Sequence, residues 1–193
     1  MTLSPIVAGT WRMASWGWEV PARVRWIEQC LALGVSRFDH ADIYGGYSVE
    51  ALFGEALAAV PGLRERIQVV TKCGIKLVSA ARPSHRIKSY DSARAHVSAS
   101  VENSLRALHT DRIDLLLIHR PDALMDPDEL ADTFRALHAA GKVLHFGVSN
   151  HSPSQFALLH RRYPLATNQV ELSPLHSSAL ADGTLDQCLD LGV

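Results

Sequence analysis

Six short apolar runs, separated by segments of helical periodicity, constrain this chain most. They are Ile6–Thr10, Arg37–Ala41, Ile67–Lys72, Ile113–His119, Leu144–Val148 and Ala166–Val170. Each is too short for a helix and apolar on both faces, the pattern of a buried parallel strand. Between them lie helices with recognisable ends. The first carries Pro21 early, Val24, Ile27 and Leu31 on one face, and Gly34 past its end. The second starts at Ser48 and the third follows Asp91. The fourth opens Asp126-Pro127-Asp128-Glu129 and the fifth Ser152-Pro153-Ser154-Gln155, both capping-box patterns. A sixth is expected over Thr184–Leu191.

Tandem strand–helix units permit a doubly wound sheet or a (β/α)₈ barrel. The polar residues at strand ends favour the barrel. Asp39 and Tyr44 follow the second strand, Lys72 closes the third and His119 the fourth. Ser149 and Asn150 follow the fifth, and Asn168 and Gln169 sit in the sixth. A barrel builds its site from many strand ends, whereas an open sheet concentrates it at one switch point. The expected fold is therefore an α/β (β/α)₈ TIM barrel, one domain over residues 1–193, of which about the first six β/α units are present. The closing Asp190-Leu191-Gly192-Val193 echoes Leu33-Gly34-Val35 and Gly141-Lys142-Val143, where a helix hands over to a strand. The chain is thus expected to be incomplete at the C-terminus, a seventh strand being due at Val193.

Composition narrows the function. A formal net charge of -1 gives no reason to expect nucleic acid or an acidic membrane as partner. No apolar run approaches a membrane span, and the N-terminus lacks the regions of a secretory signal. Cys30, Cys73 and Cys188 are odd in number and widely spaced, which argues against a disulfide framework or structural zinc and for the cytoplasm.

Phe38-Asp39-His40-Ala41-Asp42-Ile43-Tyr44, Thr71-Lys72 and Ile118-His119-Arg120-Pro121 together resemble the aldo-keto reductase superfamily. Gly9-Thr10-Trp11, Gly147-Val148-Ser149-Asn150 and Asn168-Gln169-Val170-Glu171 fit it in the same order. The stretches Asp39–Tyr47 and His119–Pro121 look most like its bacterial YdhF-type oxidoreductases. The resemblance implies NAD(P)H-dependent reduction of an aldehyde or ketone. Tyr44 would be the general acid, its pKa lowered by the Lys72 ammonium. Asp39 would hold Lys72, and His119 would orient the carbonyl. Gly9, Thr10, Trp11, Asp39, Ser149, Asn150 and Gln169 would contact the cofactor, with NADPH preferred to NADH and no metal. The partner would be a small-molecule carbonyl substrate.

Other readings stay open at this point. Asp39, His40, Asp42 and His119 could serve a metal-dependent hydrolase, although His40 falls on the opposite strand face from Asp39. Lys72 could be a Schiff-base nucleophile. The chain could also be a truncated barrel that binds a nucleotide or a partner chain without turnover. Trp16, Trp18 and Tyr47 could wall an apolar pocket or merely cover the barrel mouth. Residues 82–88 read as a solvated basic loop, and His40, Asp42 and His145 as structural.

Overall fold

In the computed structural model, which describes residues 5–193, six parallel strands form one sheet in the order β1-β2-β3-β6-β7-β8. These are β1 (Ala8–Gly9), β2 (Arg37–Asp39), β3 (Gln68–Cys73), β6 (Ile113–Ile118), β7 (Val143–Ser149) and β8 (Asn168–Gln169). Helices α1 (Val20–Ala32), α2 (Val49–Ala59), α3 (Arg94–Ala107), α4 (Pro127–Ala139) and α5 (Pro153–His160) connect them, and α6 (Thr184–Leu191) follows β8. The long central strands agree with the apolar runs. The edge strands are shorter than expected, because each has only one neighbour to bond. The path beyond β2 still follows β3: the His40 N–H donates to Val70 O and the Asp42 N–H to Lys72 O.

The expected caps form. Asp126 accepts from the backbone N–H groups of Asp128 and Glu129, and Ser152 and Gln155 make a reciprocal capping box. After α1, Gly34 takes φ +78°, and the Val35 N–H reaches back 2.9 Å to Cys30 O. One element was not foreseen from the sequence. Directly after β3 the chain makes a small hairpin, β4 (Ile75–Lys76) against β5 (Ser89–Tyr90), before entering α3.

Strand alternation sorts side chains to two faces. Outward, Phe38 and Val69 pack with Ile27, Phe53 and Leu57 under α1 and α2. Leu116, Ile118, Phe146 and Val148 pack with Val101, Phe134 and Phe156 under α3 to α5. Inward, Val70, Leu115 and Leu117 form a small apolar floor with Ala166. Gly147 belongs to this inner layer. A Cβ there would meet Thr167 O at 2.7 Å and Leu117 Cδ2 at 2.8 Å, so only glycine lets the strands close up.

The sheet curls into a half-barrel. β8 lies four strands from β2, about 19 Å away in a flat sheet at ~4.8 Å per strand. Yet Gln169 Nε2 donates to Asp39 Oδ1 at 3.2 Å. That curl brings the polar strand ends onto one floor.

Candidate active site

Lys72 is the last inward residue of β3, seated above Val70 and beside Leu117. Its ammonium is 2% exposed, and burying a charge in that way requires partners. Nζ donates to both Asp39 oxygens, at 2.8 and 2.6 Å, and to His40 O at 2.8 Å. It also lies 3.3 Å from the Tyr44 hydroxyl. Tyr44 reaches that position on a tight 3₁₀ turn, in which Gly45, Gly46 and Tyr47 all take positive φ. Glycine is required at Gly45, where an added Cβ would lie 2.7 Å from Ser48 Oγ. His119 follows β6 and meets the Tyr44 ring edge-on, with centroids 6.0 Å apart. Trp11 flanks Tyr44 from the other side at 6.4 Å.

The protonation states follow from burial and neighbours. Burial pulls the Lys72 ammonium down, and Asp39 pushes it back up. Burial, then Lys72, Arg120 and Lys88, lower His119 to about 3, so its ring is neutral at pH 7. Its Nδ1 is buried with no partner, which leaves Nε2 as the nitrogen open to the cavity. Tyr44 departs from expectation. Burial, and then the Asp39 carboxylate, raise its phenol to about 12. The lowering expected from Lys72 does not appear, because Lys72 comes with a counter-ion that opposes it. The phenol therefore holds its proton throughout the neutral range.

Asp39, Tyr44, Lys72, His119, Trp11 and Gln169 thus come together. Gly9 pairs in register with Asp39 at the open edge. Ser149 and Asn150 stand beside Gln169: Ser149 is buried, Asn150 holds φ +54°, and the Asn150 N–H donates to Gln169 O. Asn150 Nδ2 donates to Ser149 Oγ, and its Oδ1 accepts from the Glu171 N–H.

Thr10 lies apart from this group. It is fully buried, its hydroxyl donates to Asp39 O and meets His40 Nδ1 at 2.9 Å, and its N–H is bonded to Asp39 O. His40 itself packs edge-on against Phe53, away from Asp39. Among the described residues, no three His, Cys, Asp or Glu side chains converge as a metal site would.

The loop aromatics are not where a pocket wall was expected. Trp16 contacts Trp18 and Trp26, and Trp26 continues to Phe38, an aromatic chain that runs into the helical layer. Tyr47 points to the hairpin, its hydroxyl accepting from the Leu77 N–H at 2.8 Å. The residues that do line the cavity beside Tyr44 and His119 include Ile75, Leu77, Lys88 and Tyr90, most of them from the unforeseen hairpin and its loop. Their only signal was apolar residues flanking a polar loop.

Known proteins share this arrangement of strands. The sequence profile described as the Aldo/keto reductase family matches residues 5–193. The chain is 56% identical to Oxidoreductase YdhF of Escherichia coli over 98% of this chain and 64% of that protein. It is 47% identical to a 6-dehydroglucose reductase of Agrobacterium fabrum, over 96% of this chain and 63% of the other. Among solved structures, a glycerol dehydrogenase of Gluconobacter oxydans superposes with a TM-score of 0.85 at 34% identity, over 99% of this chain and 58% of that one. The chain therefore spans just under two-thirds of the length of these relatives. A half-barrel of parallel strands ending in Asp39, Tyr44, Lys72 and His119, matched by profile along its described length, places the chain in the aldo/keto reductase family.

Proposed function

We propose that the protein reduces the carbonyl of a small aldehyde or ketone to an alcohol, with Tyr44 as general acid and a reduced nicotinamide, NADPH in preference to NADH, as co-substrate. The observation that carries this reading is the Lys72 ammonium, which touches both oxygens of Asp39 and the Tyr44 hydroxyl. A phenol raised to about 12 is fully protonated at neutral pH and has a proton to give. Giving it up leaves a phenolate 3.3 Å from Lys72, where the ammonium stabilises the new charge. Protonation is then favoured as negative charge grows on the substrate oxygen, which is how a positioned acid assists. His119, neutral and open at Nε2, donates to the same oxygen and fixes its approach.

A nicotinamide, when bound, supplies the hydride that the carbonyl carbon accepts. The residues present suit its carboxamide, which needs both donors and acceptors. Ser149 Oγ accepts from Asn150 and so keeps its own hydrogen free, while Gln169 holds Asp39 through Nε2 and keeps Oε1 free. Gly9, Trp11 and Asn150 complete the edge of the site, and Thr10 acts from beneath through Asp39 O. The names of the relatives, a dehydroglucose reductase and a glycerol dehydrogenase, fit carbonyl–alcohol interconversion on small hydroxylated molecules. A cytoplasmic site of action belongs to the same proposal, and Cys30, Cys73 and Cys188 are free thiols.

The test is NADPH oxidation with a panel of aldehydes by the wild type and Tyr44→Phe. The variant should lose roughly 10²–10⁴-fold in kcat while NADPH binding, followed by fluorescence, persists. Equal turnover by the two proteins would remove Tyr44 as the acid. Tighter binding of NADH than of NADPH would remove the cofactor preference.

A further inference from the structure

Beside Tyr44 and His119 opens a cavity of about 480 Å³, and its charge is one-sided. Trp11, Ile75, Leu77 and Tyr90 supply its apolar and aromatic wall. Its charged residues are Lys88 and Arg120, and no carboxylate lines it. Neither side chain has a hydrogen bond or ion pair among the described residues. The acids nearest in sequence are engaged elsewhere. Asp91 bridges to Lys76 and accepts from the Ala93 N–H. Asp122 accepts from the N–H and hydroxyl of Ser92 and from the Leu124 N–H. Glu171 lines the adjoining cavity, which Arg120 also borders, and makes no ion pair with it.

Two unpaired cations at the mouth of an apolar cleft concentrate positive field there. Both are close enough to the reaction centre to help keep His119 neutral. A guanidinium presents a donor fork that matches a carboxylate or phosphate. The cavity is large enough for a small molecule to meet Tyr44, His119 and the two cations at once.

We propose that this pocket selects carbonyl compounds that also carry an oxyanion, a carboxylate or a phosphate, held by Arg120 and Lys88 while the carbonyl faces Tyr44 and His119. The inference rests on the carbonyl-reduction reading and adds a substrate class to it. Such a preference would set this chain apart from relatives named for uncharged sugars and polyols.

The test compares matched pairs with NADPH: 4-oxobutanoate against its methyl ester, and glyceraldehyde 3-phosphate against glyceraldehyde. At low ionic strength kcat/KM should favour an anion by about tenfold to a hundredfold, the range of a hydrogen bond to a charged group. Added salt should shrink the ratio. The carboxylate and phosphate arms show which oxyanion the site prefers. In Lys88→Gln/Arg120→Gln the ratio within each pair should fall towards one. Both residues are exposed, so this variant should fold, and its melting temperature checks that. A ratio near one in the wild type, or one unchanged in the double variant, overturns the proposal and leaves carbonyl reduction standing. If no pair is reduced at all, the reduction reading fails. Calorimetry with 4-hydroxybutanoate against its amide then decides the anion site on its own: binding of the acid by wild type and not by the double variant supports it, and no binding overturns it.

Discussion

Asp39, which ends β2, and Asp42, three residues on, stand on opposite sides of the strand layer, and their surroundings differ in kind. On the inner side Asp39 is clamped by the Lys72 ammonium and touched by Gln169. On the outer side Asp42 and Glu50 share a small cavity of about 170 Å³ with Tyr47, Arg82, His85 and His96. Glu50 is satisfied by hydroxyls: Thr71 donates to Oε1 at 2.6 Å and Ser104 to Oε2 at 2.9 Å. Asp42 Oδ1 is buried with no partner. Burial, and then Glu50, raise the Asp42 carboxyl well above the usual range, and burial raises Glu50 as well. Thr71 and Lys72, neighbours on β3, serve the two sides in turn. Burial is common to both clusters. What separates an ion-paired inner centre from an outer one whose carboxyls are raised is an ammonium within contact distance.

The strongest way to break this contrast is to neutralise one carboxylate on each side. Asp39→Asn strands a buried ammonium and should cost about 3–5 kcal/mol, the range for a buried ion pair that loses one partner, together with nearly all turnover. Glu50→Gln removes no counter-charge and keeps one acceptor, so its cost should stay near 1 kcal/mol, that of a single hydrogen bond. Urea denaturation of both variants gives the comparison directly. Equal losses would mean that the ammonium is not what distinguishes the two sides.

A smaller effect comes from His40, which sits beneath the loop between the two clusters. Burial, then Lys72, lower it to about 3. A group depressed in the folded state contributes stability that is present above its unfolded pKa, about 6.5, and lost as pH falls towards the folded value. At pH 5 the unfolded chain gains about 2 kcal/mol from protonating one such imidazole. His119, depressed by the same cause, adds a second term. Thermal melts of His40→Gln between pH 7 and pH 4.5 should fall less steeply than those of wild type. Parallel curves would show that His40 is not held neutral by its site.

The inner centre was legible in the sequence because each of its members ends or follows an apolar run: Lys72 after Val69 and Val70, His119 after Leu115–Ile118. Residues belonging to central strands are placed by alternation alone. The outer cluster was not found, although the same alternation puts Thr71 opposite Lys72 and α2 turns Glu50 towards it. The signal was present, but two carboxyls with no ammonium in contact do not announce a shared cavity. The hairpin over residues 75–90 escaped because its strands are two residues long and enclose a polar loop. Three-dimensional neighbours decided the remaining cases. Thr10 turns under the loop because its hydroxyl finds Asp39 O and His40 Nδ1 there, and Trp16 turns away from the mouth because Trp26 continues into Phe38. The Tyr44 phenol rises rather than falls because burial, and then the Asp39 that accompanies Lys72, raise it. None of these is a property of spacing.

The smallest expected effect sharpens the contrast from the outer side. A carboxyl raised in the folded state contributes stability that is present below its unfolded pKa, about 3.9 for aspartate, and lost as pH climbs through the folded value. Asp42 is such a group, so the wild type should weaken between pH 4 and pH 8 by an amount that Asp42→Asn does not share. The asparagine amide is neutral at both ends of that range and can still accept from the Ile43 N–H and Ser100, which hold the carboxylate. Relative to wild type, the variant should therefore gain stability on going from pH 4 to pH 8. Melts of the two proteins at the two pH values measure it. Asp39→Asn in the same experiment should show no such gain, because its loss comes from stranding the Lys72 ammonium and not from removing a carboxyl raised by burial. A gain of equal size in both variants would mean that the strand layer does not separate the two carboxylates after all.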